Sequence, residues 1–347
     1  MIRWGADFLR IEGTLIRGPA AGEAGGLEEV VLGDRAASGT EASAAGVRAA
    51  EAHPTTLTVT LAPGGRKKIA VNGVPRRPTA LGEQLRTVMF APEEMLLVVG
   101  PPSLRRASLD ELTAPTDPSY ASNLATYGRA LQQRNSLLRS IREGEGDREQ
   151  LRLWDEPFLT AGAAVVAARL RMLARLAEPL ARAHSEIAPA EDRLTVAYQS
   201  NAAAAVGEGP RDALARRLRE TAEKEVWNGA TLIGPHRDDL VFSLDGRDLA
   251  TFSSRGQQRT AILAFKLAEM DLLTALDGQP PLLLLDDVFS ELDPDRRAHL
   301  VRRISELPQA LITATDPTEV DPALRRRAHS WRVSEGPAGA RVEEVEP

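Results

Sequence analysis

The sequence contains no cysteine, which excludes disulfides and any Cys-based metal or redox site. No apolar run approaches a membrane span and no signal-peptide pattern appears, so a soluble cytoplasmic protein is the expected class. Lysine is scarce. It stands only at 67, 68, 224 and 266, and arginine supplies almost all of the positive charge. Ala, Gly and Pro are plentiful, so the Arg bias reads as GC-rich coding and is weak ground for function. A net charge of −6 does not advertise a nucleic-acid partner, although local patches decide that more than totals. What is present is 347 residues, enough for a sizeable core in one large or two smaller domains.

The informative stretch runs from Thr251 to Asp293. Ser254-Arg255-Gly256-Gln257 opens a helix whose apolar stripe, Leu263, Leu267, Met270 and Leu273 with Ile262 beside it, follows 3.6-residue spacing. A Gly-containing turn at a helix start leaves backbone N–H groups pointing at any anion, and Ser254 adds a hydroxyl donor. Pro280 and Pro281 then block a helix, and Leu282 to Leu285 form a run expected of a strand buried on both faces of a parallel sheet. Asp286 and Asp287 follow where ligands of open α/β sheets bind. One can hold Mg²⁺ directly or through water, and the other can orient a water beside a phosphate. A solvated turn is the plainer reading of an acidic pair alone. Asp293 is placed to cap the next helix, with Pro294 at its first position. That helix ends near Pro308, and Ala310 to Thr313 is the next strand.

Along the rest of the chain, Phe8 to Arg17 alternates as a strand. Gly18 to Ala52 reads as a long loop with a short strand at Glu29 to Leu32. Thr55 to Leu61 and Lys67 to Val71 are strands, and Asn72-Gly73 marks a type I′ hairpin. Arg66, Lys67, Lys68, Arg76 and Arg77 cluster there, as a phosphate-contacting patch or as a charged, protected edge. Thr87 to Phe90 is a short buried strand. Arg105 and Arg106 sit at a helix start, where the dipole disfavours them, so an ion pair or a ligand selects them. From about Asp117 two long helices form an antiparallel hairpin, broken at Gly144 and Gly146, with Pro157 as a potential kink. Arg129, Arg134, Arg139 and Arg142, then Arg169, Arg171, Arg175 and Arg182, read as its polar face, solvated or tracking DNA. Leu194 to Tyr198 is a strand, Asn201 to Gly209 a loop, Asp212 to Trp227 a helix, and Leu240 to Leu244 a strand turned by Asp245-Gly246. His236 beside Asp238 and Asp239 lacks a defensible metal geometry.

The order Ser-x-Gly-Gln, Leu-Leu-Leu-Leu-Asp-Asp, Ser-Glu-Leu-Asp resembles an ABC-type ATPase head of the SMC-like class, and most closely the RecF family of bacterial recombination mediators. Gly234-Pro235-His236-Arg237-Asp238-Asp239-Leu240 continues the likeness. So do Phe90-Ala91-Pro92-Glu93, Gly100-Pro101-Pro102 with Arg105-Arg106 and Leu109-Asp110, and Gln133-Arg134-Asn135. It covers nearly the whole chain and is weakest from Gly18 to His53. It implies an α/β fold: an ABC-type ATPase head with a mixed sheet and an antiparallel β-subdomain (residues 1–100 and 228–347), plus a helical-hairpin second lobe (residues 101–227).

The resemblance also implies chemistry. ATP and Mg²⁺ would be the cofactors, with Asp286 serving Mg²⁺ and Asp287 positioning water. Ser254, Arg255, Gly256 and Gln257 would complete the nucleotide site of a partner copy in an ATP-dependent homodimer. Ser290, Glu291, Leu292 and Asp293 would communicate across that dimer, and Glu93 would couple the nucleotide site to the helical lobe. DNA would be the partner, as duplex and as single-strand/duplex junctions, contacted by Lys67, Lys68, Arg76, Arg77, Arg105, Arg106 and Arg134. RecO and RecR would act with it to load RecA, as part of the SOS response and recombination. The family usually has Ser-Gln-Gly-Gln at 254–257, so Arg255 is a departure that adds a cation near the phosphates.

An ATPase of this type needs a Walker A loop, G-x-x-x-x-G-K-[ST], to cradle the phosphates. No Gly-Lys dipeptide occurs anywhere in the sequence. Met1 to Ala6 resembles a family segment that follows the first strand, the P-loop and its helix, so these are expected upstream of residue 1, through a misplaced start or truncation; a naturally degenerate family member is the alternative. The chain as given is then expected to be poorly stable and unable to bind ATP alone. Two rival readings remain. One is a non-hydrolysing DNA-binding or interaction subunit on an ABC-like scaffold. The other is a different SMC-like repair ATPase, disfavoured because the helical hairpin is too short for a long coiled coil.

Overall fold

Alternating apolar and polar residues build the first sheet of the protein, seen in a computed structural model that describes residues 8–16, 54–77, 79–191, 193–336 and 339–345. The Met1–Ala6 segment and the whole of the expected loop from Gly18 to Ala52, including Glu29 to Leu32, lie outside these residues. Strands β1 (Leu9–Leu15), β2 (Thr55–Leu61), β3 (Lys68–Val71) and β4 (Val74–Arg76) pair antiparallel in that order. Leu57 and Ile69 are buried on its apolar face. Asn72 (φ 50°) and Gly73 (φ 74°) adopt the two left-handed conformations that a type I′ turn requires. The Asn72 side chain accepts from the Thr56 amide at 2.7 Å, which ties the hairpin to β2. Helix α1 (Thr79–Gln84) and strand β5 (Thr87–Phe90) follow.

A 3₁₀ turn (Pro92–Met95) leads into α2 (Leu96–Val99) and α3 (Pro102–Thr113). Helix α4 (Tyr120–Arg142) and the 37-residue α5 (Leu151–Ile187) pack side by side as the expected hairpin, and α5 continues through Pro157 and Pro179. Strand β6 (Leu194–Gln199), α6 (Pro210–Asn228), β7 (Asp239–Leu244), β8 (Arg247–Asp248), α7 (Leu249–Phe252) and α8 (Arg255–Asp277) come next. Tyr127, Phe158, Leu214, Leu218 and Ile233 form one core cluster, with the Tyr127 and Phe158 ring centroids 5.1 Å apart. By length and composition α5 contains a stretch able to cross a membrane, which corrects the view that no run approaches one. Its apolar residues are core here: Phe158, Val165, Leu176 and Leu180 are buried.

The chain then forms β9 (Leu282–Asp286), α9 (Pro294–Ser305), β10 (Ala310–Thr313), α10 (Pro322–Arg325), β11 (Ser330–Gly336) and β12 (Gly339–Val345). β9 is the centre of a parallel sheet of order β10-β9-β5. Leu283 and Leu285 are buried, but Leu282 and Leu284 are half-buried and Met89 is 47% exposed. The strand is therefore covered fully on one face and partly on the other, because alternate side chains point to opposite faces. Antiparallel β11 and β12 form a separate hairpin.

Two compact units result: Met1–Ala91 with Leu273–Pro347, and Pro92–Leu272. The boundaries differ from the expected lobes at 100/101 and 227/228. The reason is sheet pairing. β7 pairs with β6, placing Leu240 opposite Tyr198 and Phe242 opposite Val196, so residues after 228 stay with the helical unit.

Candidate functional site

In the first unit the site is built at the carboxyl edge of the parallel sheet. Thr313 of β10 stands opposite Asp286 of β9. Its hydroxyl donates to Asp286 Oδ1 at 2.5 Å. The Asp287 amide donates to the Thr313 carbonyl and hydroxyl oxygens, each at 3.2 Å. The Thr315 amide donates to Asp287 Oδ1 at 3.3 Å, and Ser290 Oγ donates to the Asp287 carbonyl at 2.8 Å. These bonds hold Asp287 at φ +51°, in the left-handed region that a residue with a Cβ disfavours. Such a conformation costs on the order of 1 kcal/mol and persists where its surroundings over-determine it. The bend takes Asp287 out of strand geometry while Asp286 remains the last residue of β9, so two consecutive carboxylates are held in separate orientations. Among the described residues no three His, Asp or Glu side chains gather as a metal-ligand set. Mg²⁺ commonly binds through one or two carboxylates together with substrate phosphates, and this donor set fits that mode.

A 3₁₀ turn over Phe289–Glu291 continues from Asp287. Phe289 and Leu292 are buried, which anchors the turn. The Arg297 guanidinium donates to the Phe289 carbonyl at 2.7 Å and to the Leu292 carbonyl at 3.4 Å. Asp293 caps α9, accepting from the Arg296 amide at 3.0 Å, with Pro294 in the first turn. Partial burial opposes ionisation of Asp293, but the Arg296 amide and guanidinium outweigh it and hold the carboxyl below its ordinary value.

In the second unit Ser254 and Gln257 close a capping box. The Gln257 amide donates to Ser254 Oγ at 3.2 Å, and the Ser254 amide donates to Gln257 Oε1 at 2.9 Å. The Gln258 amide donates to the Ser254 carbonyl at 3.0 Å. A hydroxyl oxygen that accepts one bond keeps its proton to donate, so Ser254 can both start α8 and offer a donor outward. Arg255 and Gly256 occupy the first turn of that helix, and Glu93 is exposed in the Pro92–Met95 turn.

The basic candidates separate by burial. Lys67, Lys68, Arg76 and Arg77 are exposed around the β3–β4 hairpin of the first unit. Arg106 is half-buried and donates to the Asp238 carbonyl at 2.8 Å. Arg105 and Arg134 are buried and taken up by internal partners, which corrects their place among phosphate-contacting candidates. Arg105 binds both oxygens of Asp239, at 2.7 and 2.8 Å, and its Nη1 lies 2.7 Å from the Gly100 carbonyl at the end of α2. Arg134 reaches Asp155 at 2.8 Å, Glu225 at 3.2 Å and Thr231 at 2.8 Å. Arg169, expected on the polar face of the hairpin, is likewise buried, bonded to Asp110, Tyr120 and the Pro235 carbonyl.

Residues 234–239 are held from every side. Asp238 is fully buried and accepts from Tyr198, Ser200 and the Asn201 amide. Tyr127 and His236 Nδ1 are 2.5 Å apart. Burial raises the Tyr127 pKa and lowers that of His236 to about 4, so the phenol is the donor and the imidazole a neutral acceptor. These bonds fix the segment within the second unit. Thr313 and Thr315, and the capping role of Ser254 and Gln257, escaped the sequence reading. The Ser-x-x-Gln spacing carried the second signal. Only strand register reveals the first.

No protein-family model matches the chain. It is 40% identical over 293 residues to the DNA replication and repair protein RecF of Synechocystis sp. (strain ATCC 27184 / PCC 6803 / Kazusa), covering 81% of this chain and 76% of the relative. Against RecF of Chloroflexus aurantiacus (strain ATCC 29364 / DSM 637 / Y-400-fl) it is 40% identical over 285 residues, covering 79% and 72%. Among solved structures, the recombination mediator protein RecF-ATPrS in the RecFOR pathway matches with a TM-score of 0.70 and 30% identity, over 79% of this chain and 74% of that one. RecF-ATP in the same pathway matches with a TM-score of 0.69 and 31% identity, over 77% and 72%.

Proposed function

The chain belongs to the RecF family of DNA replication and repair proteins, and from that premise we propose that it is a DNA-repair ATPase that works as an ATP-dependent dimer on DNA. Its fold is the α/β ABC-type head of its RecF neighbours. The observation that carries the reading is the pair Asp286 and Asp287, held apart at the carboxyl edge of β9 by Thr313 and Thr315. Asp286 is placed to hold Mg²⁺, which would neutralise charge on the phosphates when bound with ATP. Asp287 orients and polarises the attacking water. Ser254, Gly256 and Gln257, at a capped helix N-terminus, offer donors to the phosphates of nucleotide held by a second copy. Ser290 to Asp293 report across that dimer, and Glu93 couples the nucleotide site to the helical unit. Lys67, Lys68, Arg76 and Arg77 meet duplex DNA phosphates beside single-stranded gaps, where RecO and RecR join in loading RecA.

The test is Asp287→Asn, made in protein whose wild type turns ATP over. It is isosteric and removes the charge that polarises the water, so turnover should fall about a hundredfold or more while nucleotide affinity stays within a few-fold. Equal turnover in the variant would refute the assignment. The absence of any Gly-Lys dipeptide favours a second reading, a non-hydrolysing DNA-binding or interaction subunit on the same scaffold. Salt-sensitive DNA binding by wild-type protein without turnover selects that reading; measurable turnover dismisses it.

A further inference from the structure

Lys266 lies on α8 about three turns beyond Ser254. Its side chain is only 10% exposed. Its ammonium sits 2.7 Å from Glu94 Oε2 and 3.2 Å from Glu269 Oε2. Glu269 is on the same helix, but Glu94 belongs to the Pro92–Met95 turn, which follows β5 almost directly. The helix cannot rotate to release the lysine to water. Its neighbours Ile262, Phe265, Leu267 and Met270 are buried, and Phe265 packs edge-on against Phe242 with centroids 5.5 Å apart. Burial works against the charged lysine, yet Glu269 and Glu94 outweigh it and hold its pKa above the ordinary value.

A buried ion pair is a poor source of stability, since apolar side chains of similar volume do as well or better. Two carboxylates around one ammonium are less economical still. What such a cluster does supply is a fixed geometry between the segments that carry it. We propose that Lys266 is a positioning residue: a latch that ties the turn leaving β5 to the helix bearing the Ser254–Gln257 turn, so that a displacement at one end is transmitted to the other. The proposal deepens the reading of Ser254–Gln257 as a phosphate-contacting turn and draws its functional meaning from it.

The test uses the full chain without nucleotide, so it is independent of whether ATP binds. Glu94→Leu leaves Lys266 and Glu269 as a neutral pair and spares the fold. Amide hydrogen exchange is measured at Gln257 and Gln258, in the first turn of α8, alongside the other amides of the second unit. Glu94→Leu and Lys266→Met should each speed exchange at these two positions by on the order of tenfold, and the double variant should add little, because the two act through one contact. Unchanged exchange at Gln257 and Gln258 in Glu94→Leu overturns the proposal. So does a uniform rise across the second unit, which marks simple loss of stability. Should Lys266→Met fail to fold, Glu94→Leu alone decides. Failure of the ATPase reading shows separately, in the turnover of Asp287→Asn.

Discussion

Arg134 illustrates how one side chain changes meaning with its surroundings. It stands in a helix with many arginines, yet its guanidinium faces Asp155, Thr231 and a Glu225 side chain only 1% exposed. Removing the cation strands a buried carboxylate, so Arg134→Met should cost about 3–5 kcal/mol in urea unfolding. DNA affinity of the folded fraction should stay unchanged; a selective loss of DNA binding would restore Arg134 to the phosphate-contacting set. His236 carries a pH signature. Burial first, then the nearby Arg237, Arg106 and Arg134, depress its pKa from 6.5 to about 4, while the Thr231 carbonyl pulls the other way. A base depressed in the folded state is stabilising above its unfolded pKa. That contribution, on the order of 3 kcal/mol, should drain away as pH falls from about 6.5 towards 4. Stability curves of wild type and His236→Asn should converge in slope outside that window; a wild-type curve flat across it contradicts the assignment. Neither feature was legible in the sequence. Arg134 lies 91 residues from Glu225 and 97 from Thr231 along the chain, and nothing local marks which arginines turn inward.

Among the elements, those with a clear period were readable. β2, the β3–β4 hairpin, β7, α8 and β9 appear where alternation, the Asn72-Gly73 turn or 3.6-residue spacing placed them. The end of a strand is harder to read, because its partners come from the neighbouring strand. Asp286 and Asp287 were visible as an acidic pair, but Thr313 and Thr315 join them only through the parallel register of β10 on β9. Helix α8 offers a direct test of its start. Ser254→Ala removes the acceptor for the Gln257 amide and should destabilise by about 1 kcal/mol, read as a lower melting temperature with faster exchange at Gln257. No change in either would mean that the capping box is not formed in solution.

For the whole molecule, the acidic total hides a local cationic patch. Lys67, Lys68, Arg76 and Arg77 stand exposed around one hairpin, although the chain's net charge is −6. If they meet DNA phosphates, replacing Lys67 and Lys68 by Gln should weaken binding similarly for all sequences. The slope of log affinity against log salt should then fall by about two. An unchanged slope places the DNA surface elsewhere.

The pairing of β5 with β9 also orders events in time. Roughly two hundred residues separate these neighbours, and the whole second unit is threaded between them. At the usual pace of synthesis β5 waits roughly ten to forty seconds on the ribosome for its partner, while the uninterrupted residues 92–272 can fold behind it. During that wait Val88 and Phe90, buried in the finished protein, are an unpaired apolar edge. Synonymous codons that slow translation inside the second unit would lengthen that exposure without altering a single amino acid.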